Sequence, residues 1–536
     1  MYADFVQCCP TESTQHFYKE ILLFTPPARI SCIIGAVALS CAPAFAQIDA
    51  SDTQSVFHKI IDIERDHSDV MANLEYLSDS IGPRLTGSDR LKRANEWTAE
   101  KMRQYGLENV HLESYTIPRG WERGSIAARL AEPNGLPVSL EQAAWTEGTN
   151  GKLTGPVVIV AADAEEDLSA YKGKLHGAWV ITVSKNSPSD GQGALPLPDQ
   201  KPAKPIPAIS APAAPAKPAG GFMGMPRNFD YKKYMAFREK LTALMDSEGV
   251  LGTLRDAGKP YSLLNMTGSW DTKNPRPSFF ISHEHTAMIM RLQKRGQPVS
   301  LEIESTAKLI EGPITVYNTV GDIRGSEKPS EIVALGGHLD SWDLGTGSTD
   351  NGTGAMAVLE AAHALKAVDA HPKRTIRFFQ FSGEEEGLHG SEAYVAAHKA
   401  EMKDYDVVYV HDTGTGRVKG LWLQERKECL PWLKQQFGML GGLGLLTDKP
   451  NLMPGKMNGT DHASFDDAGV PAFAFNQEDA NYGLNHHSQS DTFDKVRPDD
   501  LKQGAAVLAI LAFDAAQKSA KFPRAPEKKP DAKPTK

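Results

Sequence analysis

The stretch Ile332-Val-Ala-Leu-Gly-Gly-His-Leu-Asp-Ser-Trp-Asp-Leu-Gly-Thr-Gly-Ser-Thr-Asp-Asn-Gly-Thr-Gly354 decides the fold that we expect for this chain. Its apolar start, Ile332 to Leu335, predicts a buried strand, and a helical pattern follows its end. Between the two lies a loop that carries His338, Asp340, Asp343 and Asp350. Imidazole and carboxylate groups on a loop at a strand end suit a divalent metal such as Zn²⁺. A turn rich in Asp and Gly with a hydrogen-bonded histidine explains the same residues, so the loop alone does not decide.

The same alternation of strand and helix continues on both sides of this stretch. Apolar runs at 332–336, 375–381, 406–411 and 471–475 predict strands, and they alternate with helical patterns near 353–368, 390–402, 430–440 and 499–518. Such alternation is typical of a mostly parallel sheet with helices on both faces. We therefore expect an α/β fold of the doubly wound kind.

Length and composition bound the class of protein. A chain of 536 residues is too long for one compact core, so two domains are expected. The formal net charge is -9, and no basic patch interleaved with aromatic residues is visible in the sequence. This argues against a nucleic acid as partner.

The N-terminal segment has the pattern of a secretory signal. Arg29 precedes an apolar run over 30–41, and Ala42-Pro-Ala-Phe-Ala46 offers a cleavage site after Ala46. The run is shorter than the ~20 residues of a membrane-spanning helix, so no stable span is expected after cleavage. We predict an exported protein, periplasmic or extracellular. Cleavage leaves Cys429 as the one cysteine, without a disulfide or a cysteine metal site.

Changes in composition and in the pattern of predicted strands and helices suggest the domain boundaries. The expected order is a leader over 1–46, a first segment of the α/β domain over 47–119, an inserted β-rich domain over 120–305 with a Pro-rich linker at 188–226, a second segment of the α/β domain over 306–520, and a disordered tail over 521–536. The helical segment before the insertion and the α/β pattern after it are expected to cover one sheet together.

Further polar clusters follow the predicted strands. They are Ser382-Gly-Glu-Glu-Glu-Gly-Leu-His-Gly-Ser391, His411-Asp-Thr-Gly-Thr-Gly416, Asn458-Gly-Thr-Asp-His-Ala-Ser-Phe465 and Asn485-His-His-Ser-Gln-Ser-Asp-Thr492. Because strand ends in an open α/β sheet face one crevice, these clusters can meet. Of two adjacent glutamates, one can bind a metal while its neighbour takes a proton from an attacking water. A charged helix start is the alternative explanation for Glu384-Glu385-Glu386.

Together these motifs resemble the co-catalytic zinc exopeptidases of metallopeptidase family 28. Within that family they are most similar to the carboxypeptidase Q-like and secreted aminopeptidase-like members, through Gly337-His-Leu-Asp-Ser-Trp-Asp343, Tyr317-Asn318, His486-His487-Ser488 and Asp491-Thr492. The resemblance covers roughly residues 55–518, and the inserted region looks like a protease-associated domain.

The resemblance implies two Zn²⁺ ions and a role for each motif residue. His338 and Asp412 would bind one zinc, Glu385 and His487 the other, and Asp350 would bridge them. Glu384 would be the general base, and His486 would stabilise the oxyanion. Asp340 would orient His338, and Asp461 would be structural or lie behind the ligands.

Other histidines are expected to have no catalytic role. His363 and His371 fall in a helix and a turn, and His389, His411 and His462 stand where the family pattern needs no ligand. His283 and His285 are expected to be a free surface pair.

The function that we expect is cleavage of a terminal residue from short peptides or dipeptides, with aminopeptidase action favoured. A carboxypeptidase needs a cation for the substrate carboxylate, for which Arg417 and Lys419 are the candidates, although a solvated turn explains both. An amidohydrolase, a single-zinc cyclising acyltransferase and a non-catalytic receptor are the alternatives. Peptide is the expected partner, and a homodimer remains open.

Overall fold

The computed structural model describes residues 50–183 and 231–524. The predicted leader, the Pro-rich linker at 188–226 and the end of the predicted tail lie outside these residues. In the described part of the chain, no helix is both long enough and apolar enough to cross a membrane.

The helices and strands follow the alternation that the sequence predicts. The helices are α1 (Ala50–Asp66), α2 (Val70–Glu75), α3 (Asp89–Gln104), α4 (Tyr231–Glu248), α5 (His283–Lys294), α6 (Thr353–Ala367), α7 (His389–Ala397), α8 (Leu430–Gly442), α9 (His462–Asp467), α10 (Tyr482–Asn485) and α11 (Pro498–Gln517). The strands are β1 (Glu108–Glu122), β2 (Ile126–Glu132), β3 (Leu140–Gln142), β4 (Leu153–Ala161), β5 (Trp179–Val183), β6 (Gly252–Asp256), β7 (Ser278–Ile281), β8 (Ser300–Ser305), β9 (Lys308–Ile323), β10 (Lys328–His338), β11 (Arg374–Phe381), β12 (Tyr405–Val410), β13 (Val418–Trp422), β14 (Asn451–Met453) and β15 (Ala472–Gln477).

The larger sheet has eight strands in the order β1-β9-β11-β10-β12-β15-β13-β14. Its centre, β11-β10-β12-β15, is parallel, as predicted. The flanks differ from the prediction of a mostly parallel sheet, because β1 and β9 form a long antiparallel pair, β9 runs antiparallel to β11, and β13 runs antiparallel to β15. The sheet is therefore mixed, and the broader expectation of an α/β fold is confirmed.

Helices cover both faces of this sheet. Strand β10 shows this directly, because Val333 and Leu335 belong to one apolar core while Ile332 and Ala334 belong to another. The first core also contains the buried residues of α6 and α11, whose many alanines let the two helices approach closely. The second core contains residues of α7 and α9. A strand buried on both sides is what a continuous apolar run produces.

A second sheet lies within residues 126–305, the region predicted to be β-rich. It has seven strands in the order β2-β8-β4-β5-β6-β7-β3 and apolar cores of its own. Helices α4 and α5 lie in the same stretch of chain, so the region is mixed rather than purely β. Its description as a protease-associated domain stays a prediction.

Two local expectations differ from the structure. His283 and His285 are not a free surface pair: His283 Nδ1 lies 3.0 Å from Asp256 Oδ2, and His285 Nδ1 lies 2.7 Å from Ser282 Oγ at the start of α5. At the other end of the chain, the predicted disordered tail begins too early, because Phe522 is buried and donates its N–H to Asp406 Oδ1 at 2.6 Å.

Candidate metal centre and active site

The polar clusters of the sequence meet at the carboxyl edge of the parallel strands. His338 ends β10, Glu384 and Glu385 follow β11, and Asp412 follows β12. His486 and His487 follow α10, beyond β15. Parallel strands place their carboxyl ends at one edge, so residues far apart in sequence come together there.

Asp350 lies between two histidines that come from different loops. Its Oδ1 is 3.6 Å from Nε2 of His338, and its Oδ2 is 3.4 Å from Nε2 of His487. The two oxygens of one carboxylate thus face two separate groups of side chains. This is the arrangement that a bridging ligand requires.

The first group gathers around His338. Its Nε2 lies 3.1 Å from Oδ1 of Asp412 and 3.8 Å from Oε2 of Glu384. Potential ligand atoms of these three residues all lie within 4.8 Å of one another. The ring is buried, and Nδ1 faces away from the group.

The second group gathers around His487. Its Nε2 lies 2.9 Å from Oε2 of Glu385, and its ring stacks on that of His486 with 3.6 Å between centroids. Potential ligand atoms of Asp350, His486 and His487 also lie within 4.8 Å of one another. The adjacent glutamates Glu384 and Glu385 therefore point to different groups.

These residues fit a divalent metal. Burial raises the pKa of both Glu384 and Glu385 well above the usual range, and it lowers the pKa of His487 to about 3. Oδ2 of Asp350 is buried without a hydrogen-bond partner among the described residues. Several buried carboxylates next to the neutral imidazole of His487 are costly without a compensating positive charge. Nitrogen and oxygen donors of this kind are ligands that zinc accepts.

Asp340 contacts His338 mainly through its main chain. The carbonyl oxygen of Asp340 lies 3.1 Å from Nδ1 of His338, whereas its carboxylate Oδ1 lies at 3.6 Å. The other carboxylate oxygen accepts hydrogen bonds from Thr86 Oγ1 and from the N–H of Glu385, both at 3.2 Å. Asp340 thus connects the loop of the first group with the glutamates.

His486 and Asp461 occupy different surroundings. His486 is about one-third exposed, with a side-chain relative accessibility of 35%, and it lines the cleft described below. Asp461 is buried at the start of α9, and its carboxylate has no hydrogen-bond partner among the described residues. Burial raises the pKa of Asp461 to about 8. Asp461 is not among the described residues that line the cleft, and its role behind the ligands stays a prediction.

The histidines expected to have no catalytic role lie outside the two groups. His411 and His462 are buried, and burial lowers the pKa of each to about 4. His363 stacks on Tyr105, and His389 contacts the ring of Trp270. His371 is exposed.

Three residues that support the site were not singled out by sequence reasoning. Arg84 is buried and donates to four main-chain carbonyls, among them those of Leu339 and Gly347 in the loop after β10. Asp491 accepts from the N–H of Asp350 at 3.1 Å and from Thr349. Tyr482 donates its hydroxyl to Oδ1 of Asp350 at 2.9 Å. The Asp491-Thr492 motif was a sequence signal for Asp491, whereas Arg84 and Tyr482 belong to no local sequence pattern.

A cleft of about 480 Å³ opens over the two groups. Five carboxylates line it, and among its described lining residues there is neither a lysine nor an arginine. Arg417, one of the two cations considered from the sequence, is paired instead with Asp500 at 3.1 Å. The wall of the cleft is therefore acidic.

Residues between β6 and β7 of the smaller sheet hold the His487 loop. The N–H of Met266 donates to the carbonyl of His487 at 2.8 Å, and Nζ of Lys259 donates to the carbonyl of Gly483 at 2.8 Å. The ring of Trp342 contacts that of His487 and also that of Trp145. The region of the smaller sheet thus forms part of the support of the site.

The fold and the site together define a metallohydrolase, with its donor groups at the carboxyl edge of an α/β sheet. Residues 318–512, which contain every residue of the two groups, match the family described as Peptidase family M28. This match, together with the relatives described next, supports a zinc metallopeptidase hydrolase.

Relatives and solved structures agree with this assignment. Carboxypeptidase Q of Mus musculus is 29% identical over 458 residues, covering 84% of this chain and 86% of the relative. The crystal structure of a Peptidase M28 precursor from Shewanella amazonensis has the same fold, with a TM-score of 0.71 and 24% identity over 89% of this chain and all of that one. A zinc aminopeptidase from Bacillus subtilis aligns with a TM-score of 0.59 and 20% sequence identity. The alignment covers 84% of this chain and 96% of the aminopeptidase.

Proposed function

We propose that this protein is an exported exopeptidase that uses two zinc ions to remove the N-terminal residue of short peptides or to split dipeptides. The observation that carries the proposal is the position of Asp350, whose two oxygens face His338 and His487. One carboxylate between two groups of donors suits two metal ions held close together.

The distances between the donor atoms divide the side chains between two ions. His338 and Asp412 would hold one, Glu385 and His487 the other, and Asp350 both. Zinc at such a site polarises the scissile carbonyl and lowers the pKa of a water molecule from ~15.7 toward ~7.

Glu384 is placed to act as the general base. It lines the cleft next to His338, and burial raises the pKa of its carboxyl well above the usual range. A raised pKa lets the carboxylate accept the proton of the attacking water and then give it to the leaving amine. His486, which is partly exposed in the cleft, would donate a hydrogen bond to the oxyanion.

The charge of the cleft favours a free N-terminus. Two divalent ions would neutralise the four carboxylates of the proposed ligands and base, and neither a lysine nor an arginine is found among the described residues that line the cleft. A wall without a lysine or arginine offers no ion-pair partner to the carboxylate of a peptide. This supports aminopeptidase action over carboxypeptidase action.

One observation favours the carboxypeptidase alternative. Lys259 lies at the rim, on the carbonyls of Gly483 and Leu484, and its charge acts on His487. Burial lowers the pKa of Lys259 to about 8, so it is still largely charged at neutral pH. A small movement of its side chain would bring a cation to a substrate carboxylate.

The deciding experiment uses a panel of dipeptides with free, N-acetylated and C-amidated ends, together with metal analysis of the same sample. Aminopeptidase action predicts that acetylation abolishes hydrolysis and that amidation does not. The alternative predicts the reverse, and it also predicts that Lys259→Gln raises KM. Cleavage of peptides blocked at both ends would point to an amidohydrolase.

Variants of the base test the mechanism itself. Glu384→Gln is expected to lower kcat by about 10²–10⁴-fold while two zinc ions remain bound. The control is Glu392→Gln on the exposed side of α7, which should leave kcat unchanged. Full activity of Glu384→Gln would contradict the role of Glu384 as the base, whereas absence of hydrolysis by the parent protein would favour a non-catalytic, receptor-like protein.

A further inference from the structure

A second cavity lies on the smaller sheet, apart from the residues that line the metal centre. It has a volume of about 300 Å³ and is bounded by α4, by strands β5, β6 and β7, and by the segment 267–276. None of its sixteen lining residues belongs to the acidic cleft described above. Its lining is basic, whereas the lining of the cleft at the metal centre is acidic.

Three arginines line this cavity, namely Arg238, Arg255 and Arg276. Arg276 is paired with Asp246. In residues 50–183 and 231–524, no ion pair is formed by Arg238 or Arg255. No aspartate or glutamate is found among the described residues that line the cavity.

Arg255 is held in place by an aromatic ring rather than by an acid. Its guanidinium lies over the ring of Phe280, 4.3 Å from the centroid. Stacking of this kind fixes the plane of a guanidinium while its N–H groups remain available. The side chain comes from β6, so its position is set by a strand in the interior of the sheet.

Hydroxyl groups make up much of the remaining wall. Eight of the sixteen lining residues are serine or threonine, and the asparagine Asn274 is a ninth neutral hydrogen-bonding residue. Thr253 and Ser278, on adjacent strands, already share a hydrogen bond of 2.8 Å. Hydroxyls can rotate to donate to an acceptor in the cavity, which neither the main-chain carbonyls nor the apolar side chains can do.

The energetics of this wall favour an anion. Burial and the charge of Arg238 lower the pKa of Arg255 to about 10, which reflects the cost of holding that charge without an acidic partner. A buried cation is stabilised when an oxyanion supplies the missing charge and accepts its hydrogen bonds. Guanidinium groups match the oxygens of phosphate and sulfate in geometry as well as in charge.

We propose that this cavity is a binding site for a tetrahedral oxyanion, phosphate or sulfate, either free or as the ester group of a small molecule. Arg238 and Arg255 bind the oxygens from two sides, one from α4 and one from β6. The surrounding hydroxyls complete the set of donors. The site is independent of the peptidase reaction, because no residue of the two metal-binding groups takes part in it.

The test is calorimetric titration of the full-length protein with sodium sulfate and sodium phosphate at constant ionic strength. Both anions are expected to bind at one site. Arg238→Gln and Arg255→Lys should each raise the dissociation constant about 10-fold or more, because each removes charge-assisted hydrogen bonds. Arg295→Gln, which changes an exposed arginine at the end of α5, should leave the constant unchanged.

Arg238→Gln is the informative variant for folding, because it changes a partly exposed helix residue. Its hydrolysis of dipeptides should equal that of the parent protein, which separates this site from the metal centre. Unchanged sulfate affinity in Arg238→Gln, or no binding by the parent protein, would overturn the proposal. Tighter binding of glycerol phosphate than of inorganic phosphate would assign the site to an ester, and the opposite order to the free ion.

Discussion

Arg123 holds Asp343 through two hydrogen bonds, of 2.9 Å from Nε and 2.8 Å from Nη2. Asp343 belongs to the loop that carries His338, whereas Nη1 of Arg123 reaches Glu141 on β3 of the smaller sheet at 2.9 Å. One guanidinium therefore joins the loop of the metal centre to the smaller sheet.

We expect Arg123→Met to destabilise the protein by about 2–3 kcal/mol, because it leaves two partly buried carboxylates without their partner. The free energy of unfolding in urea measures this effect. The matched control is Arg129→Met, which breaks a more exposed pair with Glu302 and should cost much less, because solvent screens that pair. Equal costs for the two variants would contradict the role of Arg123 as a link.

Asp491 should control metal affinity without touching the metal. Its carboxylate accepts from the N–H groups of Thr349 and Asp350 and so fixes the main chain at the proposed bridging ligand. Asp491→Asn keeps the size of the side chain but replaces one acceptor by a donor, so zinc affinity should fall about 10–100-fold. Competition with a chelator measures this. Asp494→Asn, at an exposed position, should have no effect.

Asp406 should make the folded state less stable as the pH rises. Burial raises its pKa to about 6, above the value of about 4 expected in the unfolded chain. The folded state then binds more protons than the unfolded state between pH 4 and 6, so stability is greatest below this window and is lost through it. Relative to Asp406→Asn, the parent protein should lose about 2–3 kcal/mol from pH 4 to 6. Parallel stability curves for the two proteins would contradict this.

Cys429 should resist alkylation until the protein unfolds. Its thiol is buried and donates to the carbonyl of Pro523 at 3.3 Å, and burial raises its pKa to about 12. Since the thiolate is the reactive form, iodoacetamide at pH 8 should modify this residue only in denaturant. Mass spectrometry of the peptide that contains Cys429 distinguishes the two states. Rapid modification of the native protein would show that this end of the chain opens readily.

Two glycines should respond to alanine in opposite directions. A Cβ at Gly504 would lie 2.9 Å from Nε2 of the buried His411, so Gly504→Ala should cost about 1–3 kcal/mol. A Cβ at Gly438, in α8, would meet no atom within 4 Å. Gly438→Ala should therefore stabilise the protein by about 0.5–1 kcal/mol. Differential scanning calorimetry of both variants checks the pair, and a shift of the same sign in both would contradict the packing argument.

The sequence predicted what local patterns determine. The strand that contains Val333 is buried on both faces, and a continuous apolar run is the direct signature of such burial. His338 and Asp412 were found because polar residues that follow strands converge at one edge of a sheet. The structure brings them to 3.1 Å of each other.

What the sequence could not predict depends on distant partners. Arg84 binds the carbonyl of Leu339, which is 255 residues away, and Tyr482 reaches Asp350 across 132 residues. Neither contact leaves a periodic pattern, because one partner is the main chain and the other is a single hydroxyl. The cavity that contains Arg238 and Arg255 could not be predicted either, because the two arginines lie on different elements and no sequence motif surrounds them.

Helix α11 has a consequence for the order in which the protein acquires its structure. It is the last helix in the described part of the chain, and almost all of its residues from Leu501 to Ala516 are buried, against α1, α6 and the parallel strands. The ribosome makes it after the other described elements of the core, so the larger core stays open until this helix has been made. A nascent chain that ends before residue 498 should therefore remain sensitive to protease, whereas the finished chain resists it. Late closure of this kind would suit the export that we propose, because a chain must stay unfolded while it passes through a secretory pore.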